Sequence, residues 1–541
     1  MTGATMQRVK HVRRETLLAI LGIVLIAAGS AESIRHQPPT FEYQLDACHT
    51  PVTVMEPYQE PPLANAIVLH GLAGNRHIMA WLGERLAAQG LRVYMIDLAG
   101  HGDSTEPFTY ANAESCAGDA IAALADRGDI HLDRTVLLGH SMGAEIAIRL
   151  ADRFPTAATI ALSPAPLVPP RRMPSNLLVV SAQFDVPWLR SEARHLARDA
   201  GGDRTAPDDF AQLRAFHLAD VSLADHVSVL TDPRVSTLAS AWAREALGIP
   251  GPPAPVPGWP RTEFLLGCVG IILLFPLAAT IFAGRIRPPA AHYPDRDPET
   301  KYSAENTNDD THSAMRPAKA LRTWAVACVF AVALLAAVPH YSWLGLSDGS
   351  YLATCLLIAG VALFFLVVPR GTAFVWSARG ILAAIALALL FTIAARAWLA
   401  GSSADAASWM FRHTWAQTAS RIFFLTKPRL LRLAPAALAV FPYFLAEEVA
   451  LGPRLPGANW RRFALFAAMR FELWVAMIAA YFLTMNGNVL IGLLLPSFIL
   501  ISVLQHYGSE VIRRRTGSPA AAAIFGAIIA AWFIVSFFPL T

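Results

Sequence analysis

"TVLLGHSMGAEIAIRL" occupies Thr135 to Leu150. It opens as an apolar run, breaks at Gly139-His140-Ser141-Met142-Gly143, and continues with residues that favour a helix. The pattern predicts strand, sharp turn, helix, with a Gly-x-Ser-x-Gly turn presenting Ser141. Crowding explains the glycines: such a turn strains the serine backbone, and side chains at positions 139 and 143 would meet neighbouring backbone. The turn exposes the hydroxyl and aims a helix N-terminus and the Met142 amide at developing negative charge. In a chain with 34 glycines, the five residues alone leave a second reading open, a serine flanked by glycines at an ordinary turn.

Outward from this stretch, residues 41 to 248 mix apolar strand-like runs with amphipathic segments. Strands are predicted at "NAIVLHG", "LRVYMID", "RTVLLGH", "TIALSP", "LLVVSA" and "AFHLAD". Helices are predicted between them near 77–89, 111–127, 142–154, 189–199 and 234–247. Such alternation implies an α/β domain, a mainly parallel sheet with helices on both faces.

This domain resembles the α/β-hydrolase fold family. The resemblance rests on "VLHGLAGNR", "MIDLAGHGDS", "GHSMGA", "LLVVSAQFD" and "ADHVSVLTDPRV", which occur in the family's order and span nearly all of residues 60 to 248. It implies Ser141 as nucleophile, Asp185 as the acid that orients the base, and His226 as the base, in the chain order Ser, Asp, His. It also implies that the backbone N–H groups of Leu72 and Met142 form an oxyanion hole, a role indifferent to their side chains. For Asp185 a second reading is a helix cap before "VPWLRSEAR". His217 and His195 compete with His226, one inside a strand-like run and the other on a helix face. His70, Asp97 and His101 belong to family signatures and are expected to hold loops rather than transfer protons. Only "APLVPPRRMPSN" separates two of the strands, too short for a helical lid, so the site is expected to be open.

Composition adds a second half. Hydrophobic residues make up 54% of the 541, charged residues 16%, and the mean hydropathy is +0.41, so much of the chain is expected in lipid. The basic start "QRVKHVRR" precedes "TLLAILGIVLIAAGS", which fits a secretory signal or an uncleaved anchor within residues 1–33. A Pro-rich linker, "GIPGPPAPVPGWP" at 249–261, closes the α/β domain. From 262 to 541, apolar segments recur near 262–284, 322–340, 351–369, 380–400, 431–451, 463–485, 488–506 and 519–539, giving an all-α polytopic membrane domain of about eight helices.

Basic flanks orient these helices. Arg285 and Arg287, Arg370 and Arg379, Arg454 with Arg461 and Arg462, and Arg513 to Arg515 fall on one side, which the positive-inside rule makes cytoplasmic. The N-terminus and a polar linker at 285–319 share that side, and the α/β domain is placed outside the cytoplasm. "FRHTWAQTASRIFFLTKPRLLRL" breaks the scheme, being basic yet outside, and is expected to be an amphipathic interfacial helix. Cys48 and Cys116 share the exported domain; a disulfide in an oxidising compartment and two buried thiols are both open readings.

Ionisable residues in apolar segments are costly and mark candidate functional positions. "FPYFLAEEVALGPRL" carries Glu447 and Glu448, and "FAAMRFELWVAMI" carries Arg470 and Glu472. One reading is interfacial snorkelling with an interhelical ion pair. The other is a faint, degenerate resemblance of "EEVALGPR" and "QHYGSEVIRRRTGSP" to the CAAX-protease and bacteriocin-processing family, with His506 the only histidine in the last four apolar segments.

The expectation is therefore a membrane-bound serine hydrolase acting on an acyl bond, with a lipid-like or acyl substrate and the bilayer as its partner. No cofactor is expected, no metal because the membrane half offers so few candidate ligands, and no nucleic acid because the net charge is only +4 and the arginines lie mostly beside apolar segments. The alternatives are a membrane scaffold, transporter or receptor whose exported domain binds without catalysis, and a degenerate intramembrane protease.

Overall fold

Five of the six parallel strands are apolar at nearly every position, because each is covered on both faces, while the sixth, at the sheet edge, is only partly buried. In the computed structural model the six are β3 (Ala64–Leu69), β4 (Leu91–Ile96), β5 (Thr135–His140), β6 (Ala158–Leu162), β7 (Leu177–Ala182) and β8 (Phe216–Val221). Two antiparallel strands, β1 (Thr40–Gln44) and β2 (Pro51–Met55), extend one edge, giving the order β1-β2-β4-β3-β5-β6-β7-β8. Strand periodicity of two sends alternate residues to opposite faces. Val68, Met95 and Leu138 pack on one side with Leu82 and Trp242. Ile67, Leu69 and Leu137 pack on the other with Ile121 and Ile146.

The described residues are 15–29, 31, 38–58, 61–165, 170, 172–201, 209–254, 262–283, 317–337, 342–368, 378–399, 425–452, 459–484 and 495–541. Outside them lie the basic start, residues 255–261 of the Pro-rich linker, nearly all of 285–319, and residues 411–424 of the expected interfacial helix. Part of "APLVPPRRMPSN" and Arg285, Arg287, Arg370 and Arg454 are also outside.

Helices flank the sheet: α2 (Ala80–Ala87), α3 (Tyr110–Asp126), α4 (Met142–Leu150), α5 (Pro187–Gly201) and α6 (Pro233–Ala246). Thr109 caps α3 by accepting from Asn112 N, and Asp232 caps α6 ahead of Pro233, both local devices that satisfy first-turn N–H groups. A disulfide joins Cys48 to Cys116 on α3, with Cα atoms 5.6 Å apart.

The rest is helical. An N-terminal helix α1 (Glu15–Gly29) is followed, after the sheet domain, by α7 (Thr262–Ala283), α8 (Pro317–Ala337), α9 (Gly349–Val367), α10 (Ala378–Leu399), α11 (Lys427–Leu451), α12 (Asn459–Thr484), α13 (Leu495–Thr516) and α14 (Pro519–Phe537). Among the described residues, five stretches are long and apolar enough to cross a membrane: Leu265–Ala283, Pro317–Leu335, Gly349–Val367, Lys427–Leu451 and Pro519–Phe537. α11 packs against α9 and α14, and α12 against α8. α1 meets α7 closely: a Cβ on Gly22 would lie 2.7 Å from the Gly270 carbonyl oxygen, a small-residue contact of the kind that joins helices in lipid.

Three helices carry charge into the bundle. Arg470 on α12 forms a bidentate pair with Glu447 on α11 at 2.7 and 2.8 Å and donates to Gln505 on α13 at 2.6 Å. Glu448 faces Arg462 at 3.3 Å and Arg513 at 3.7 Å. Snorkelling with one ion pair understates this three-helix network, and Arg470 pairs across helices rather than with nearby Glu472. The His506 ring stacks on Phe466, centroids 4.0 Å apart. α13 runs well past the apolar window 488–506, because partners within the bundle satisfy its polar residues.

Candidate active site

Ser141 sits between β5 and α4 with φ 52° and ψ −119°, a left-handed conformation that a non-glycine residue keeps only under constraint. Its N–H donates to the Leu162 carbonyl at 2.9 Å. A Cβ on Gly139 would collide with the Gly143 carbonyl, and one on Gly143 with the carbonyls of Leu69 and His70. Both glycines are therefore demanded by close backbone approach, as the crowding argument expects.

β7 ends at Ala182 and delivers Asp185; β8 ends at Val221 and delivers His226. The two loops are tied to each other: Phe184 N–H donates to the Ala224 carbonyl at 2.8 Å, and Leu223 N–H to Gln183 Oε1 at 2.8 Å. His226 Nδ1 then lies 2.7 Å from Asp185 Oδ1, and His226 Nε2 lies 2.9 Å from Ser141 Oγ. All three residues meet at the C-terminal edge of the sheet, and Asp185 and His226 are buried. Burial alone would raise the Asp185 carboxyl pKa, but the His226 hydrogen bond and charge outweigh it and hold the carboxyl below its ordinary value.

Met142 opens α4, where the helix leaves its first-turn N–H groups without internal partners. Leu72 lies on the loop after β3, which runs beside the serine: a Cβ on Gly71 would fall 3.0 Å from Ser141 Cβ. The competing histidines lie elsewhere. His217 stacks on Trp242, and His195 lies 2.8 Å from Arg198 on the exposed face of α5. Asp97 accepts from the backbone nitrogens of Arg76 and Asp103, each at 2.8 Å, and pairs with the Arg76 guanidinium. His101 Nδ1 donates to the Ala99 carbonyl at 2.9 Å. These groups frame the loops.

His140 is a participant that the sequence reading passed over. Its Nε2 donates to the backbone carbonyl of His226 at 2.8 Å, so the residue before the serine holds the histidine's main chain. Burial pushes the His140 pKa down to about 3, keeping the ring neutral. The signal was present within the quoted motif, as a polar ring at the end of an otherwise apolar strand. Among the described residues, no group of three His, Cys, Asp or Glu side chains is placed to hold a metal ion.

The parallel sheet flanked by helices and the elbow at Ser141 give this domain the α/β-hydrolase fold. Residues 60–207 match the family described as Serine aminopeptidase, S33. The chain is similar to Cutinase est2 of Thermobifida alba, 31% identical over 25% of this chain and 45% of the relative. It is also similar to the 1-acylglycerol-3-phosphate O-acyltransferase ABHD5 of Rattus norvegicus, 27% identical over 23% and 35%. In both cases the match spans less than half of the relative's length. Among solved structures, dienelactone hydrolase of Anabaena variabilis is 19% identical, with 38% of this chain and 97% of that one covered and a TM-score of 0.30. The family match lies wholly within the sheet domain, so the resemblance of the helical half to the CAAX-protease family is unsupported.

Proposed function

We propose that the protein is a membrane-bound serine hydrolase that cleaves an ester, thioester or amide of an acyl group outside the cytoplasm. The hydrogen-bonded series from Asp185 through His226 to Ser141 carries this reading. Ser141 Oγ attacks the carbonyl carbon while His226 Nε2 takes its proton, and Asp185 fixes the imidazole tautomer and stabilises the imidazolium. The Leu72 and Met142 N–H groups receive the oxyanion. His226 returns the proton to the leaving group, and water then releases the acyl chain by the same route.

The two ends of α14 support placement outside the cytoplasm. Near its start lie Arg513 to Arg515, with Arg515 paired to Glu15 at the beginning of α1. Past its end, about 28 Å away at 1.5 Å per residue, Leu540 bonds to Gly100 and Phe108 of the sheet domain. The positive-inside rule assigns the arginine-rich end to the cytoplasm, which supports a hydrolase domain on the opposite side of the membrane. The Cys48–Cys116 disulfide suits that compartment. The contact of α1 with α7 favours a retained anchor over a cleaved signal.

The catalytic edge of the sheet also faces the helix ends. Phe184 and Leu223, 61% and 79% exposed, flank Asp185 and precede His226 on that edge. Exposed apolar tips beside a bilayer favour a lipid-like acyl substrate. The acylglycerol-phosphate acyltransferase among the relatives agrees with that class.

A fluorophosphonate probe tests the assignment. It is expected to label the full-length protein and not Ser141→Ala, with acyl-ester turnover lost in parallel. A folded wild type that neither labels nor turns over would favour the scaffold reading. Turnover surviving in Ser141→Ala but lost in Glu447→Ala would favour the intramembrane protease.

A further inference from the structure

A histidine and a backbone N–H hold the peptide that carries the Leu72 amide, the Gly74 N–H donating to the Gly71 carbonyl at 3.0 Å. His70 Nδ1 lies 2.8 Å from the Gly71 carbonyl oxygen, and its Nε2 lies 3.0 Å from the Leu98 backbone nitrogen. A carbonyl only accepts and a backbone N–H only donates, so His70 is neutral with its proton on Nδ1. Burial lowers its pKa and keeps it so. The Gly71 oxygen and the Leu72 nitrogen belong to one planar trans peptide, so holding the oxygen toward His70 turns the Leu72 N–H the other way. The position of Leu98 thus sets His70, and His70 together with the Gly74 N–H sets the amide.

The helical half grips this loop at both ends. The Gly100 carbonyl, two residues past Leu98, accepts from the Arg429 guanidinium at 2.6 Å and from the Leu540 N–H at 2.8 Å. Arg429 is 1% exposed and also donates to the Val535 and Phe538 carbonyls at the end of α14, at 2.6 and 2.7 Å. The Leu540 carbonyl accepts from Phe108 N–H at 2.6 Å. On the other side of the amide, Ala73 is buried in the apolar cluster of the helical half with Leu346 and Phe538, and Leu72 packs against that cluster and the sheet-domain cluster.

We propose that Arg429 is a positioning residue for the oxyanion hole: by clamping Gly100 to the end of α14, the membrane half fixes the loop that aims the Leu72 amide at Ser141. The proposal rests on the serine-hydrolase reading. A planar guanidinium suits the task, because it reaches three carbonyls in divergent directions, which an ammonium does less well.

The test uses the full-length protein in lipid nanodiscs with p-nitrophenyl butyrate, measuring kcat and KM across pH and fluorophosphonate labelling. Arg429→Leu is expected to lower kcat roughly 10- to 100-fold, less than outright loss of an oxyanion donor, with KM and the pH profile little changed. Arg429→Lys is expected to recover part of the loss. Leu540→Pro removes a single N–H to Gly100 and decides the matter if Arg429→Leu fails to fold. Folded variants with wild-type kcat, or with only KM raised, overturn the clamp. A wild type that neither labels nor turns over overturns the serine-hydrolase reading instead.

Discussion

His140 Nε2 donates to the main-chain carbonyl of His226 at 2.8 Å, and their rings lie 4.9 Å apart. The residue preceding Ser141 therefore sets where the His226 imidazole can stand. His140→Leu leaves that buried carbonyl without its donor and is expected to lower kcat about tenfold, equivalent to about 1.4 kcal/mol. His140→Gln, which keeps an N–H donor at similar reach, is expected to retain most activity. Steady-state kinetics on the folded variants checks both, and equal rates for Leu and wild type would remove His140 from the positioning of the base.

Three buried histidines give the fold an acid limit. His70 and His140 have pKa values held down by burial, about 3 for His140, and that of His101 is held well below its ordinary 6.5. Each binds a proton in the unfolded chain below about pH 6.5 but stays neutral when folded. Their contribution is complete above pH 6.5 and is lost as pH falls toward the folded values, at about 1.4 kcal/mol per pH unit for each fully titrating histidine. Thermal unfolding between pH 7 and 4 is expected to show Tm falling with acid, and His140→Gln a shallower fall. A flat profile would contradict this.

The φ of 52° at Ser141 is strain kept for presentation of the hydroxyl. Glycine adopts this region without the Cβ penalty, so Ser141→Gly is expected to be inactive yet more stable than Ser141→Ala by about 1 kcal/mol. Comparing Tm of the two inactive variants isolates the backbone effect from the lost hydroxyl. Ser141→Ala matching or exceeding Ser141→Gly would mean that the elbow stores no strain.

The strands β3 to β7 were legible because two-sided burial makes them continuous apolar runs, and the resemblance to the α/β-hydrolase family, with its chain order, proposed Asp185 and His226 as the partners of Ser141. β1 and β2 were missed. "TFEYQ" leaves β1 half polar on the sheet edge, and no periodicity marks so short a strand. Arg429 was hidden differently: in the sequence it belongs to a basic stretch that breaks the charge rule, and only the folded chain shows its guanidinium spent on carbonyls of two domains. The true extent of α13 was unreadable for the same reason, since a hydropathy window counts Gln505 and Glu510 as costs without seeing their partners.

The Cys48–Cys116 bridge closes a loop of 68 residues and ties the segment between β1 and β2 to α3. Restricting so long a loop in the unfolded chain is worth roughly 2–4 kcal/mol. Cys48→Ser with Cys116→Ser is expected to lower Tm by several degrees while leaving kcat nearly unchanged, because neither cysteine lies in the loops carrying Asp185 or His226. Without reduction, neither wild-type cysteine is expected to react with maleimide after unfolding. Reaction at both would place the thiols free.

The Glu447–Arg470 pair separates cost from benefit in the membrane half. Both side chains are buried, and Arg470 also lies over the rings of Tyr443, Phe444 and Phe466, 4.9 to 5.4 Å from the centroids. Removing one partner leaves an uncompensated charge, which typically costs about 3–5 kcal/mol, whereas replacing both with apolar residues of similar size is often far less damaging. Arg470→Met and Glu447→Leu are each expected to destabilise the protein in detergent more than the double variant does. If the pair serves structure alone, the folded double variant keeps esterase turnover. Loss of turnover in that variant, with Ser141 still labelled by fluorophosphonate, would instead tie the buried charges to substrate handling.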